Sequence, residues 1–154
     1  MKLLQLIDAS RDELIKTTSS FVRIPSETPP SDTQAMAEMV AGILAPLAHV
    51  ATNIHISEPP IANIVGIVRA ETPGKRLIFN GHLDTYPIGD PASWQEDPFS
   101  GAVRDGKLFG RGSGDMKGGI AGALVAFKIL AQHRYAWAGE LALALAGDEE
   151  SMGR

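Results

Sequence analysis

The sequence has 154 residues, 44% hydrophobic and 21% charged, which is the size and balance of one globular domain and too short for two large ones. A formal charge of −4 and a pI near 5.5, with no Lys/Arg cluster, argue against nucleic acid as a main partner, because a phosphate backbone calls for a basic face. There is no cysteine, which excludes disulfides, thiolate metal sites and cysteine nucleophiles together, so any metal must be held by His and carboxylates.

The opening stretch Met1–Asp8 has one positive charge and a short apolar run interrupted by an acid. A secretory leader needs about 7–15 apolar residues and a membrane span roughly 20, so the expectation is a cytoplasmic protein with no membrane partner. Ser10-Arg-Asp-Glu13 has capping-box spacing, and Leu14, Ile15, Phe21 and Val22 predict a helix over Ser10–Val22 that closes before Pro25. Pro25–Pro30 reads as a loop. Asp32 then caps a second helix with an apolar face of Met36, Met39, Val40, Ile43 and Leu44, ending near Pro46.

Next the period changes from helical to extended. Val50–Ile56, Asn63–Val68 and Arg76–Asn80, separated by Pro59-Pro60 and Pro73-Gly74, predict three strands. Ala102–Phe109 predicts a hairpin turning at Asp105-Gly106. Lys117–Gln132 predicts a helix, apolar through Ile120, Leu124, Phe127 and Leu130. Leu141–Ala146 is an apolar run suited to a strand buried on both faces. The expected fold class is therefore α/β, a sheet covered by helices. Ser151–Arg154 follow that last strand with no closing element, so the chain reads as interrupted.

Three polar clusters fall at predicted strand ends, where α/β folds place their sites. In His82-Leu-Asp84, side chains two apart project to one side, so His82 can bind a metal while Asp84 accepts the other ring N–H. Taken alone, the pair also fits a strand-end His beside a turn Asp. In Gly110-Arg-Gly-Ser-Gly-Asp-Met-Lys-Gly-Gly119, Gly110, Gly112 and Gly114 allow tight turns and close approach, and Asp115 stands where a helix begins. Its competing readings are a helix N-cap and a phosphate loop, the latter weakened by the absent Gly-Lys-Ser/Thr spacing and by the acid itself. In Gly147-Asp-Glu-Glu150, neighbours in an extended segment face opposite ways, so one glutamate can ligate a metal while the other handles a water. A solvated acidic turn is the plain alternative. Together the clusters offer one imidazole and several carboxylates, a donor set that suits Zn²⁺ or a similar divalent ion.

Phe79–Thr85, Trp94, Asp97-Pro-Phe99, Asp105–Gly112, Asp115–Gly119 and Asp148–Glu150, in that order, resemble the M20 metallopeptidases, and Pro25–Pro30 is similar to the early segment of that family. The resemblance implies a helix-covered, mixed and largely parallel sheet of a zinc-exopeptidase-like catalytic domain, with residues 1–154 as its N-terminal portion. It implies that His82 ligates one zinc with Asp84 supporting it, that Asp115 bridges two zincs, that Glu150 ligates the second, and that Glu149 is the general base. Co or Mn could substitute. It further implies a non-proline cis peptide after Asp115, and two metals about 3.5–4 Å apart that polarise a carbonyl and acidify a water. The implied reaction is amide hydrolysis of an N-acyl amino acid or small peptide, with loop composition leaning toward acetylornithine deacetylase-like members.

The family's remaining ligands, its dimerisation domain and the rest of its catalytic domain lie beyond Arg154, so the expectation is weak metal binding and little turnover for this chain alone, with homodimerisation a property of the complete enzyme. The alternatives are a non-catalytic α/β module and a nucleotide-binding domain using the Gly-rich turn. His49, His55 and His133 read as structural, His133 as a partner of a helix C-terminus. Trp94 and Phe99 either line a cleft or pack their loop, and Arg111 is expected to pair with an acid.

Overall fold

Four strands in one mixed sheet, with two helices laid against one of its faces and a third packed on one of those helices, determine where the polar clusters meet. The computed structural model describes residues 3–153, apart from the side chains of Leu3 and Ser57. The readings that involve Met1, Lys2 and Arg154 lie in part outside those residues.

The elements in order are α1 (Leu3–Ala9), α2 (Arg11–Val22), α3 (Gln34–Leu44), β1 (Val50–Glu58), β2 (Ile61–Arg69), β3 (Thr72–His82), β4 (Val103–Arg104), β5 (Lys107–Leu108), α4 (Gly118–Gln132) and β6 (Ala138–Ala146). The sheet order is β1-β2-β6-β3. β1 pairs antiparallel with β2, and β2 with β6, while β3 pairs parallel with β6. The sheet is mixed as expected but not largely parallel: β1–β2 and β2–β6 are antiparallel, and its parallel share is the β3–β6 pair. That pair matters most, because its register sets His82 opposite Ala146. Parallel neighbours end on the same side, so the segments following β3 and β6 emerge together.

Period-two alternation then sorts the faces. Ile64 and Val68 of β2 stand beside Leu145 and Leu141 of β6, and these pack with Met36, Val40 and Leu44 of α3 and with Ile120, Leu124 and Phe127 of α4 in one core. Phe21 and Val22 of α2 are fully buried. The other face carries Val65 at 39% and Ile78 at 51% exposure. The expectation that β6 is buried on both faces holds at its centre, where Leu141, Leu143 and Leu145 are buried on one face and Ala142 on the other. Ala146, on the same side as Ala142, is exposed.

Two caps differ from the sequence reading. The Ser10 hydroxyl makes no cap bond to α2 and instead donates to the Leu6 carbonyl at 2.8 Å, because α1, not anticipated from the sequence, ends there with unpaired carbonyls. The N-cap of α3 is Thr33, not Asp32; its hydroxyl is engaged with Ala62 across the fold, and Asp32 accepts from the Gln34 amide at a long 3.4 Å. The hairpin turns where expected, with positive φ at Asp105 (51°) and Gly106 (72°), as its tight turn requires. Among the described residues no helix is long and apolar enough to cross a membrane.

Candidate metal centre

His82 closes β3 and is 6% exposed. Its Nδ1–H donates to the Asp84 carbonyl at 3.0 Å, with the Asp84 carboxylate at 3.4 Å. On the other side Nε2 faces an Asp115 oxygen at 3.2 Å and a Glu149 oxygen at 3.9 Å. An imidazole with oxygens at both nitrogens favours its doubly protonated form. The Asp84 hydrogen bond, working against burial, raises His82 to about 9.

Asp84 is fully buried and does more than orient His82. One carboxylate oxygen accepts the Glu149 amide at 3.1 Å; the other accepts the Glu150 amide at 2.9 Å and the Thr28 hydroxyl at 2.8 Å. Burial pushes this carboxyl up, but the bonds from His82, from the Glu150 and Glu149 amides and from Thr28 outweigh it and hold it at about 2. Asp84 therefore ties the segment after β3 to the segment after β6.

That tie changes the reading of the glutamate pair. Residues 149–152 form a turn, not an extended segment, and both glutamate amides are pinned to one carboxylate. Neighbouring side chains accordingly reach the same imidazole, and one ligand atom from each of His82, Glu149 and Glu150 lies within 4.8 Å of the others. Burial raises the Glu150 carboxyl, with Asp115, Asp84 and Glu149 adding to the effect and His82 opposing it.

The Gly-rich turn delivers the fourth group. Gly110 and Gly112 take φ of 138° and 78°, and a Cβ on Gly112 would lie 2.6 Å from Thr85 Cγ2. Gly114 has neither a positive φ nor a close neighbour, so it is not required in the way the sequence suggested. Asp115 (φ −129°, ψ 102°) precedes α4 without capping it, which removes the N-cap reading, and its peptide to Met116 is cis. Regular helix starts at Gly118, one residue later than predicted. Lys117, fully buried, donates to the Ile24 carbonyl at 2.6 Å and is pushed down to about 8 by burial, with Glu27 pulling the other way.

One imidazole and two glutamate carboxylates thus meet within 4.8 Å, with the Asp115 carboxylate of a third segment against the same imidazole, a thiol-free donor set that fits a divalent cation. The sequence clusters therefore converge. The sequence did not single out Thr28 or Ser31, which hydrogen-bond in the buried interior behind this point. Their signal was available: hydroxyl residues bracket two prolines in Thr28-Pro-Pro-Ser31.

The remaining candidates are structural in placement. His49 and His55 are exposed, and His133 Nδ1 meets the Ile129 carbonyl at 2.8 Å at the end of α4. Among the described residues Arg111 pairs with no acid; it donates to the Pro87 carbonyl at 2.9 Å and lies 5.1 Å over the Trp94 ring. Trp94 in turn donates to the Ile88 carbonyl at 2.8 Å, which packs the loop on itself.

A sequence model of peptidase family M20/M25/M40 matches residues 78–154. A succinyl-diaminopimelate desuccinylase of Rhodospirillum centenum is 35% identical over 137 residues, covering 88% of this chain and 35% of that protein. One from Bradyrhizobium sp. is 37% identical over 142 residues, covering 91% of this chain and 36% of its own length. The chain thus spans about a third of the length of these curated relatives. In fold it is similar to human carnosine dipeptidase 1, with a TM-score of 0.75 at 24% identity over 96% of this chain and 34% of that one.

Proposed function

The chain belongs to peptidase family M20/M25/M40, and on that premise we propose that it carries the metal-holding front of a cytoplasmic hydrolase acting on amide bonds of N-acyl amino acids or small peptides. The observation that carries this reading is the meeting of His82, Glu149 and Glu150 within 4.8 Å, with Asp115 against the same imidazole. His82, Asp115 and Glu150 would hold the metal, which we take to be a pair of zinc ions, with Co or Mn as substitutes. Bound there, the metal supplies Lewis acidity toward a carbonyl and toward water.

The chain's own groups do the rest. Asp84 fixes the His82 ring and the glutamate turn together. Glu149, with a side chain 61% exposed, is free to take a proton on its carboxylate from a water and return it to the departing amine. As the water oxygen bonds to the acyl carbon, the C–N bond breaks, leaving a carboxylate and an amine. In this reading residues 1–154 are the N-terminal portion of the catalytic domain, and the ligands that complete the centre, together with the dimerisation domain, lie outside them. The relatives favour N-succinyl substrates, whereas loop composition leaned toward N-acetylornithine, so both belong in the assay.

The test is calorimetric zinc titration of the chain and of Asp115→Ala, followed by assay with both substrates. Weak zinc binding that disappears with Asp115, and little turnover by this chain alone, is the expected result. No zinc binding at all would leave a non-catalytic module.

A further inference from the structure

We propose that Thr28 and Ser31 are positioning residues of this centre: their hydroxyls join Asp84 to Asp148 and so set where the Glu149–Glu150 turn presents its carboxylates to His82. The inference rests on the metal-dependent reading above, and it concerns a loop that supplies no ligand.

The contacts form a buried row. Thr28 Oγ1 donates to Asp84 Oδ2 at 2.8 Å, the oxygen that also accepts the Glu150 amide. Ser31 Oγ donates to Asp148 Oδ1 at 2.6 Å, the oxygen that also accepts the Ser151 hydroxyl at 2.7 Å. The two hydroxyl oxygens are 2.9 Å apart, and with each proton given to a carboxylate it is the loop backbone that links the two grips. Thr28 and Ser31 are 5% and 0% exposed, so no water can replace either hydroxyl without repacking. One short loop therefore grips the glutamate turn at two points, through the carboxylate under its amides and through the residue that begins it.

The loop is itself held in place. The Thr28 amide donates to the Thr85 carbonyl and the Thr85 amide to the Ser26 carbonyl, both at 2.9 Å, and the Ile88 amide donates to the Glu27 carboxylate at 2.7 Å. It runs alongside the segment that carries Asp84, so its hydroxyls reach the row from a fixed base. Hydrogen bonds to charged groups are stronger than neutral ones, and a buried carboxylate that loses a donor will shift to find another. A shift of Asp84 moves the Glu149 and Glu150 amides with it. Partners behind metal ligands typically contribute about 10–100-fold to metal affinity.

Thr28→Val removes the hydroxyl at nearly constant shape, Thr28→Ser keeps it, and Ser31→Ala removes the second. Two readouts apply: amide hydrogen exchange in the metal-free protein at Glu149, Glu150 and Leu143 of the central strand, and zinc affinity. The expected result for Thr28→Val and Ser31→Ala is exchange at Glu149 and Glu150 faster by on the order of tenfold with Leu143 unchanged, and zinc affinity lower by about 10–100-fold. Thr28→Ser should restore both. Exchange that rises equally at all three amides, or that stays at wild-type rates in the turn, overturns the inference. Should Thr28→Val fail to fold, Ser31→Ala carries the same test. Should the wild type take up no zinc, the functional reading fails while the exchange comparison still decides this one.

Discussion

The two halves of the candidate centre are built on different terms. His82 and Asp84 are 6% and 0% exposed, continue a core strand, and have a protein hydrogen-bond partner on every side. Asp115 and Glu149 have side chains 80% and 61% exposed, and both reach the His82 imidazole. The difference teaches that one half is folded into place and the other is left open to solvent, the arrangement that the proposed function asks of groups that meet a cation. Carboxylates crowded around one imidazole repel each other, and a divalent ion relieves that repulsion more fully than a single proton can.

The contrast breaks most sharply at Asp84. Asp84→Ala leaves two amides and a hydroxyl without their acceptor and a charged imidazole without its counter-ion in the interior, and it should cost about 3–5 kcal/mol by urea unfolding. A loss under about 1 kcal/mol, the ordinary cost of a point substitution, would show that the buried half is no more rigid than the exposed one.

Next comes pH, in the metal-free protein. His82 is raised from 6.5 to about 9, so its stabilisation is complete below 6.5 and is lost as pH rises through 9. Asp84 is lowered from 3.8 to about 2, so its stabilisation is present above 3.8 and is lost as pH falls through 2. Urea midpoints should therefore be highest between 3.8 and 6.5 as far as this pair decides them, and His82→Gln should flatten the alkaline fall. Zinc affinity should run the other way and strengthen with rising pH, because Nε2 must give up its proton to a metal. A zinc titration that releases no proton near neutral pH would contradict the raised value.

The smallest stability effect belongs to the exposed half. Asp115→Ala should change stability by less than about 0.5 kcal/mol while removing zinc uptake. Denaturation and titration on the same sample would separate the two roles.

Much of this was legible in the sequence, and the limits are physical. Period and punctuation located α2, α3, α4 and every long strand, because Leu124, Phe127 and the leucines of β6 must all face one core. Register was not legible. Nothing local says that β6 lies between β2 and β3, yet that order alone places Glu149 beside His82. Motif spacing identified the ligand candidates, but it assumed an extended Glu149-Glu150 where Asp84 binds both amides and makes a turn. Ser10 and Asp32 had capping spacing, yet a neighbouring helix end and a neighbouring strand drew away the hydroxyls of Ser10 and Thr33. The Thr28–Ser31 row was hidden for a similar reason: its partners are 56 and 117 positions away in the chain.

One feature of the sheet governs how the protein behaves in a test tube. Among the described residues β3 pairs on one side only, and it carries Leu77 and Ile78 at 56% and 51% exposure. An unsaturated strand margin with aliphatic side chains is a template for another molecule's backbone, and at its start only Lys75 and Arg76 keep copies apart by charge. Arg76 is already engaged with Glu140 at 2.5 Å, which leaves that guard weak. Self-association should therefore grow with protein concentration and with ionic strength. Every titration described above should be run dilute and checked by light scattering.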